Sequence, residues 1–170
     1  MIQNNVLPGF EILRENIGNN GNNDNGNNYS KHMRKGMLGE ILFDCLCLKK
    51  GWQSCAPIEG YTKIDRLVIM DGDIKKVQIK TANLYVQKNS DGSIRKRMLS
   101  IISRHRSSKR NHGKQLKYEK GDYDLLFIPT KEYCWLIPFE KVEGITSIYL
   151  DDDRWNKYII YKTVEIFGEL

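Results

Sequence analysis

Lys63-Ile-Asp-Arg-Leu-Val-Ile-Met70 and Ile74-Lys-Lys-Val-Gln-Ile-Lys80 flank Asp71-Gly72-Asp73, and the pairing of this stretch decides the fold. Both flanks are rich in β-branched residues, and Asp-Gly between two such runs is a strong short-range hairpin signal. With Asp71 and Gly72 as the turn, Met70 pairs with Asp73 and paired positions sum to 143. Asp65 then stands opposite Gln78. Side chains alternate along a strand, so Gln78 and Lys80 share one face while Val77 and Ile79 take the other. An acid, an amide oxygen and an amine converge on one patch of sheet, as a metal-dependent phosphodiesterase requires.

On either side of this hairpin the chain reads as one domain with an appendage. Residues 1–15 hold one short amphipathic fragment, Phe10-Glu-Ile-Leu-Arg-Glu15, too short to stand alone as a helix. Residues 16–31 form an Asn/Gly-rich linker: eight of the thirteen residues from 16 to 28 are Asn, a composition that buries nothing and implies disorder. The domain proper spans 32–170. Apolar residues at 38, 41, 42, 45, 46 and 48 fit a buried helix face, and Lys49-Lys50-Gly51 is a helix stop. Trp52–Ile58 reads as a first strand and Arg97–Ile102 as a later one, after the turn Asn89–Gly92. Asp124–Ile128 and Tyr133–Ile137 form a second hairpin. Phe139–Val142 starts a short helix, and Tyr158–Tyr161 is a strand.

The order of these pieces resembles the PD-(D/E)XK nuclease superfamily. Gly36-Met-Leu-Gly-Glu40 opens an apolar helix as that family's first core helix does, Asp65 matches the aspartate of its second strand, and Gln78-Ile-Lys80 matches its last half-motif. Gln in place of an acid is the variant of the group I intron-encoded homing endonucleases. Tyr118-Glu-Lys-Gly-Asp-Tyr-Asp-Leu-Leu-Phe127, leading to Tyr133-Cys-Trp-Leu-Ile-Pro138, is similar to the same subgroup. The resemblance covers residues 34–141. It implies an α/β fold with a mixed central β-sheet flanked by helices, and a Mg²⁺-dependent endonuclease acting on double-stranded DNA. It also implies a homo-oligomer, dimer or tetramer.

Phosphodiester hydrolysis needs an activated water, neutralisation of the transition-state charge and help for the leaving group, all of which Mg²⁺ (or Mn²⁺) supplies when oxygens hold it. By resemblance, Asp65 is the main metal ligand, Gln78 offers a neutral oxygen, Glu40 restores a second negative charge, and Lys80 positions or polarises the attacking water. Rival readings stay open: Asp65 as a strand cap beside Arg66, Gln78 and Lys80 as surface residues, Glu40 as a helix-dipole acid with Asp44 as its competitor. Glu59 and Asp73 are further acidic candidates.

Charge is concentrated. Residues 86–120 carry eleven Lys or Arg against two acids, a net of +9, while the whole chain carries +6, so the rest sums to −3. Such a segment fits a polyanion partner, with a solvated loop as the plain alternative. Arg95, Lys96, Arg97, Arg104, Arg106, Lys109, Arg110 and Lys114 are the candidate DNA contacts. The four cysteines make no Cys-x-x-Cys pair and read as free thiols of a reducing cytoplasm. Without an apolar span or signal peptide, a cytoplasmic, nucleoid-associated protein is expected. No second His stands near enough to Asn111-His112 for an HNH site. A Holliday-junction resolvase, a restriction-type nuclease and a non-catalytic DNA-binding module are the competing functions.

Overall fold

The computed structural model describes residues 25–57, 63–88, 90–102, 104–105 and 115–167. Helix α1 (Asn25–Lys50) is followed by β1 (Gln53–Cys55), β2 (Arg66–Met70), β3 (Asp73–Ile79), β4 (Ala82–Lys88), β5 (Ile94–Ile101), β6 (Arg104–His105) and β7 (Gln115–Leu116). Then come β8 (Leu125–Pro129), β9 (Tyr133–Pro138), α2 (Phe139–Val142), β10 (Ser147–Tyr149), a 3-10 helix (Asp153–Tyr158), β11 (Ile159–Lys162) and α3 (Thr163–Phe167).

The hairpin register follows from its turn. Asp71 and Gly72 both have positive φ, 53° and 86°, the pattern of the tight turn whose twist matches paired strands. Met70 then pairs with Asp73 and Arg66 with Val77. Among the described residues, β1-β2-β3-β8-β9-β11 form a mixed sheet in which β3 and β8 are parallel and the other neighbours antiparallel. Asp124 pins the parallel pair: its Oδ2 accepts from the Lys76 amide at 2.7 Å and its own amide donates to Lys76 O at 2.8 Å. The connection between β3 and β8 carries β4, β5 and the two-residue pair β6–β7; β4 and β5 form a second antiparallel sheet, β10-β5-β4, with β10, which follows β9 in the chain.

Two apolar clusters cover the two faces of the central sheet. Leu42, Phe43, Leu46 and Cys47 of α1 pack on Val68, Val77, Ile79, Phe127 and Cys134, with Ile166 of α3 joining them. Tyr123, Leu126, Ile128, Trp135 and Ile137 fill the other side with Phe139, Ile148 and Trp155. Alternation along β8 explains the split, since Phe127 faces α1 while Leu126 and Ile128 face away.

Three expectations change. The buried stripe of α1 is 39, 42, 43, 46 and 47: Phe43 is fully buried, whereas Ile41 is 51% and Leu48 80% exposed. Apolar residues occur all round this helix, so composition alone could not fix its phase. The first strand is shorter than expected, Gln53–Cys55. Helix α1 also reaches back to Asn25, so residues 25–31, expected in the linker, have helical backbone. Extending an existing helix fixes one residue per added hydrogen bond, so a packed helix tolerates weak formers at its end. Residues 1–15 and 16–24 lie outside the described residues. The helix stop is a Schellman turn. Gly51 has φ 71°, the Trp52 amide donates to Cys47 O at 2.8 Å, and the Gly51 amide donates to Leu48 O at 3.2 Å.

Candidate active site

Everything in the candidate site hangs on the end of β3. Asp65 stands one residue before β2, and its amide donates to Val77 O at 2.9 Å, one position off the β2–β3 register, which holds Asp65 beside the end of β3. Its Oδ2 accepts from the Ile79 amide at 2.6 Å and from the Gln78 side-chain amide. Lys80 follows at the strand end, where its own amide donates to Phe127 O at 2.9 Å. Gln78 is 5% exposed, so its amide is spent inside the site rather than in solvent.

Electrostatics tie the group together. Burial raises the Asp65 carboxyl above the usual range and the Glu40 carboxylate adds to the rise; the Ile79 amide, Lys80 and Arg66 oppose it. Burial likewise lowers the Lys80 amine, with Asp65 as the opposing charge. An acid and a base are thus both pushed toward their neutral forms side by side, a pattern typical of sites that handle protons.

Glu40 arrives from the other side of the sheet, on α1. Gly39 favours this: a Cβ there would lie 3.2 Å from Thr81 Cγ2 and 3.3 Å from Ile79 Cγ2, so those methyls would have to give by a few tenths of an ångström for the helix to sit this close to the end of β3. Glu40 does not stand alone. Arg66 points toward α1 because it neighbours Asp65 in the alternation, and its Nη1 donates to Glu40 Oε2 at 2.9 Å and to Asp65 O at 2.8 Å. The same guanidinium makes a forked pair with Asp44, Nε to Oδ1 and Nη2 to Oδ2, both at 2.9 Å. Its side chain is 11% exposed. Arg66 was absent from the sequence-derived site, although strand alternation next to Asp65 was a usable signal.

This clasp has a pH signature. Burial raises the Asp44 carboxyl, but the Arg66 guanidinium and the Ser54 hydroxyl, 2.8 Å from Oδ1, outweigh it and hold the group below its ordinary 3.8. A carboxyl depressed by folding stabilises the folded chain above its unfolded pKa, and that contribution is lost as pH falls through the folded pKa. The difference in urea midpoint between the native chain and Asp44→Asn is therefore expected to be full near neutrality and to close as pH drops below 3.8. A difference unchanged by acid would mean that the Asp44–Arg66 contact adds no stability.

The candidate DNA contacts divide. Arg95 and Arg97 share one face of the β4–β5 ribbon and converge on Asp151, at 3.8 and 2.9 Å; Arg97 also stacks on Tyr149 at 3.9 Å. Lys96 alternates to the opposite face, beside Val86. Arg97 is thus held in a structural network, and the three do not form one surface. Arg104 lies in β6. Arg106, Lys109, Arg110 and Lys114 fall outside the described residues. Among the described residues no group of three or more His, Cys, Asp or Glu gathers as a metal site, all four cysteines are free, and no helix is long and apolar enough to cross a membrane.

No family model matches the chain. A 113-residue stretch, 66% of this chain, is 29% identical to Protein 5.3 of Escherichia phage T7 and covers 85% of that protein. The solved structure of a bacterial homing endonuclease, I-Ssp6803I, matches with a TM-score of 0.59 at 20% identity, over 74% of this chain and 86% of that one. The mixed α/β architecture with its central mixed sheet is therefore the fold of a known nuclease.

Proposed function

We propose that this chain is a metal-dependent endonuclease of the PD-(D/E)XK type that hydrolyses phosphodiester bonds in double-stranded DNA, with a homing-type enzyme as the best-fitting role. The observation that carries the reading is the union of Asp65, Gln78 and Lys80 at the end of β3 with Glu40 close by, on a fold shared with a homing endonuclease. A chain whose fold merely resembled a nuclease would have no reason to bury these polar groups together.

The donor set fits a hard divalent cation. Asp65 engages its partners through Oδ2, Gln78 through its amide nitrogen and Glu40 through Oε2, so Asp65 Oδ1, Glu40 Oε1 and the Gln78 amide oxygen remain to be offered. Two carboxylates and one amide oxygen suit Mg²⁺, or Mn²⁺ in its place, which keeps several waters when bound by few protein oxygens. When bound, the ion would lower the pKa of a water and offset charge on the phosphate.

The chain's own residues do the rest. Asp65 is fixed in one rotamer by the Ile79 and Gln78 amides. Lys80, desolvated beside it, holds a proton donor against the scissile phosphate and orients the attacking water. The water oxygen forms the new P–O bond as it gives up a proton to solvent, the bond to the leaving sugar oxygen breaks, and that oxygen takes up a proton from solvent. Cutting both strands of a duplex needs two such sites, which a dimer or tetramer of this chain would provide.

One observation favours a second reading. The Glu40–Arg66 ion pair engages one of the two carboxylates of this donor set, as in a DNA-binding module that has lost catalysis. The test is cleavage of plasmids carrying a random insert library, with Mg²⁺, with Mn²⁺ and with excess chelator. Nicked or linear product in either metal, and none with chelator, is expected. Salt-sensitive DNA binding without cleavage of any library member would establish the binding module, and cutting confined to added four-way junctions would establish a resolvase.

A further inference from the structure

Lys80 is useful only if its ammonium is held in one direction, and a four-carbon stem at a strand end has many others available. Asp65 lies to one side of it. On another side is an aromatic ring: Lys80 Nζ sits 5.6 Å from the ring centroid of Tyr118, within reach of the attraction between a cation and a ring face.

Tyr118 is itself braced. Its ring meets Tyr123 edge-to-face at 5.0 Å and 78°, and Tyr123, 2% exposed, meets Phe139 at 5.0 Å and 87°. The turn after Tyr118 is closed by Asp122, whose amide donates to Glu119 O at 3.0 Å and whose Oδ2 accepts from the Glu119 amide at 3.0 Å. The buried Asp122 also pairs with Lys63 Nζ at 2.5 Å, only two residues before Asp65. The loop that carries Tyr118 is therefore tied to the segment that carries Asp65, and both are anchored to the core beneath β8 and β9.

We propose that Tyr118 is a positioning residue for Lys80: its braced ring face keeps the ammonium beside Asp65, with the Lys63–Asp122 pair holding the two halves of the site in register. This rests on the nuclease reading for its kinetic consequence but not for its structural one. Tyr118 touches no reacting atom. It acts by limiting where Lys80 points.

The experiment compares Tyr118→Phe, which keeps the ring, with Tyr118→Leu, which keeps apolar bulk and removes it. The first readout is nuclear magnetic resonance of the Lys80 ε-methylene. Native chain and Tyr118→Phe are expected to show ring-current-shifted, ordered signals, and Tyr118→Leu an unshifted, mobile one. The second is single-turnover cleavage. Tyr118→Leu is expected to lose about five- to tenfold in rate constant with DNA affinity unchanged, and Tyr118→Phe to stay close to native. An unshifted Lys80 signal in the native chain overturns the proposal, as does a Tyr118→Leu variant with native rate. A loss equal in Tyr118→Phe and Tyr118→Leu overturns it too, because the hydroxyl rather than the ring would then matter. Should the native chain cut no DNA, the nuclease reading fails by itself, while the Lys80 signals still decide the positioning role.

Discussion

Lys80→Ala is expected to lower the cleavage rate about 10²–10³-fold while DNA binding and the folded state persist. On the proposed mechanism the Lys80 ammonium, desolvated beside Asp65, acts on the phosphate with little solvent screening. Truncation leaves a gap at the strand end without touching the backbone bond from Lys80 to Phe127 O, so the sheet should hold. Asp65→Asn is the companion variant, and it separates chemistry from stability. Burial raises the Asp65 carboxyl in the folded chain, so its ionised form costs stability, a cost absent below its ordinary 3.8 and complete above the raised folded value. Asparagine can still accept from the Ile79 and Gln78 amides through its carbonyl oxygen. At neutral pH Asp65→Asn is thus expected to unfold no earlier than the native chain while losing cleavage at least as severely as Lys80→Ala. Thermal melts paired with single-turnover assays check both halves. A destabilised Asp65→Asn with normal cleavage would make Asp65 a structural cap and move the chemistry elsewhere.

What the sequence disclosed depended on how local the determining force was. The β2–β3 register was legible because Asp71-Gly72 favours a tight turn, and that turn sets Arg66 against Val77 and brings Asp65 next to Gln78. The end of α1 at Gly51 and the β8–β9 hairpin were legible for the same reason. The phase of α1 was not, since Ile41 and Leu48 are as apolar as Phe43 and only the sheet beneath decides which are covered. Strand β4 gave no signal: Leu84, Tyr85 and Val86 are all exposed by 40% or more, so no buried face imposes a period on it. The partners of the site residues were the least legible part. Tyr118 meets Lys80 across 38 positions of chain, and Arg66 reaches Asp44 across 22, through folds that no short motif encodes. In the basic segment, charge density alone did not show that Arg95 and Arg97 also pair with Asp151, or that Arg97 stacks on Tyr149.

Arg66→Met is expected to destabilise the chain by about 2–3 kcal/mol in urea unfolding, the largest stability effect of any single substitution at the site. Methionine can fill the apolar stem of Arg66 but replaces none of its hydrogen bonds to Asp44, Glu40 and Asp65 O. The loss is kept below the full cost of a broken buried ion pair because the Glu40 and Asp44 side chains, 38% and 40% exposed, can recover water. Arg66→Lys restores a charge without the planar fork and is expected to recover only part of the stability. The clasp also has a chemical consequence. Without the guanidinium, Glu40 loses its ion-pair partner and its repulsion of Asp65 goes unopposed from that side, so cleavage is expected to fall as well. Adding Glu40→Gln to Arg66→Met separates the two effects. If uncompensated charge causes the instability, the double variant regains stability yet cuts no faster. If stability instead depends on the clasp as a tether between α1 and β2, the double variant stays as unstable as Arg66→Met alone, and the position of Glu40 rests on Arg66 rather than on the close packing at Gly39.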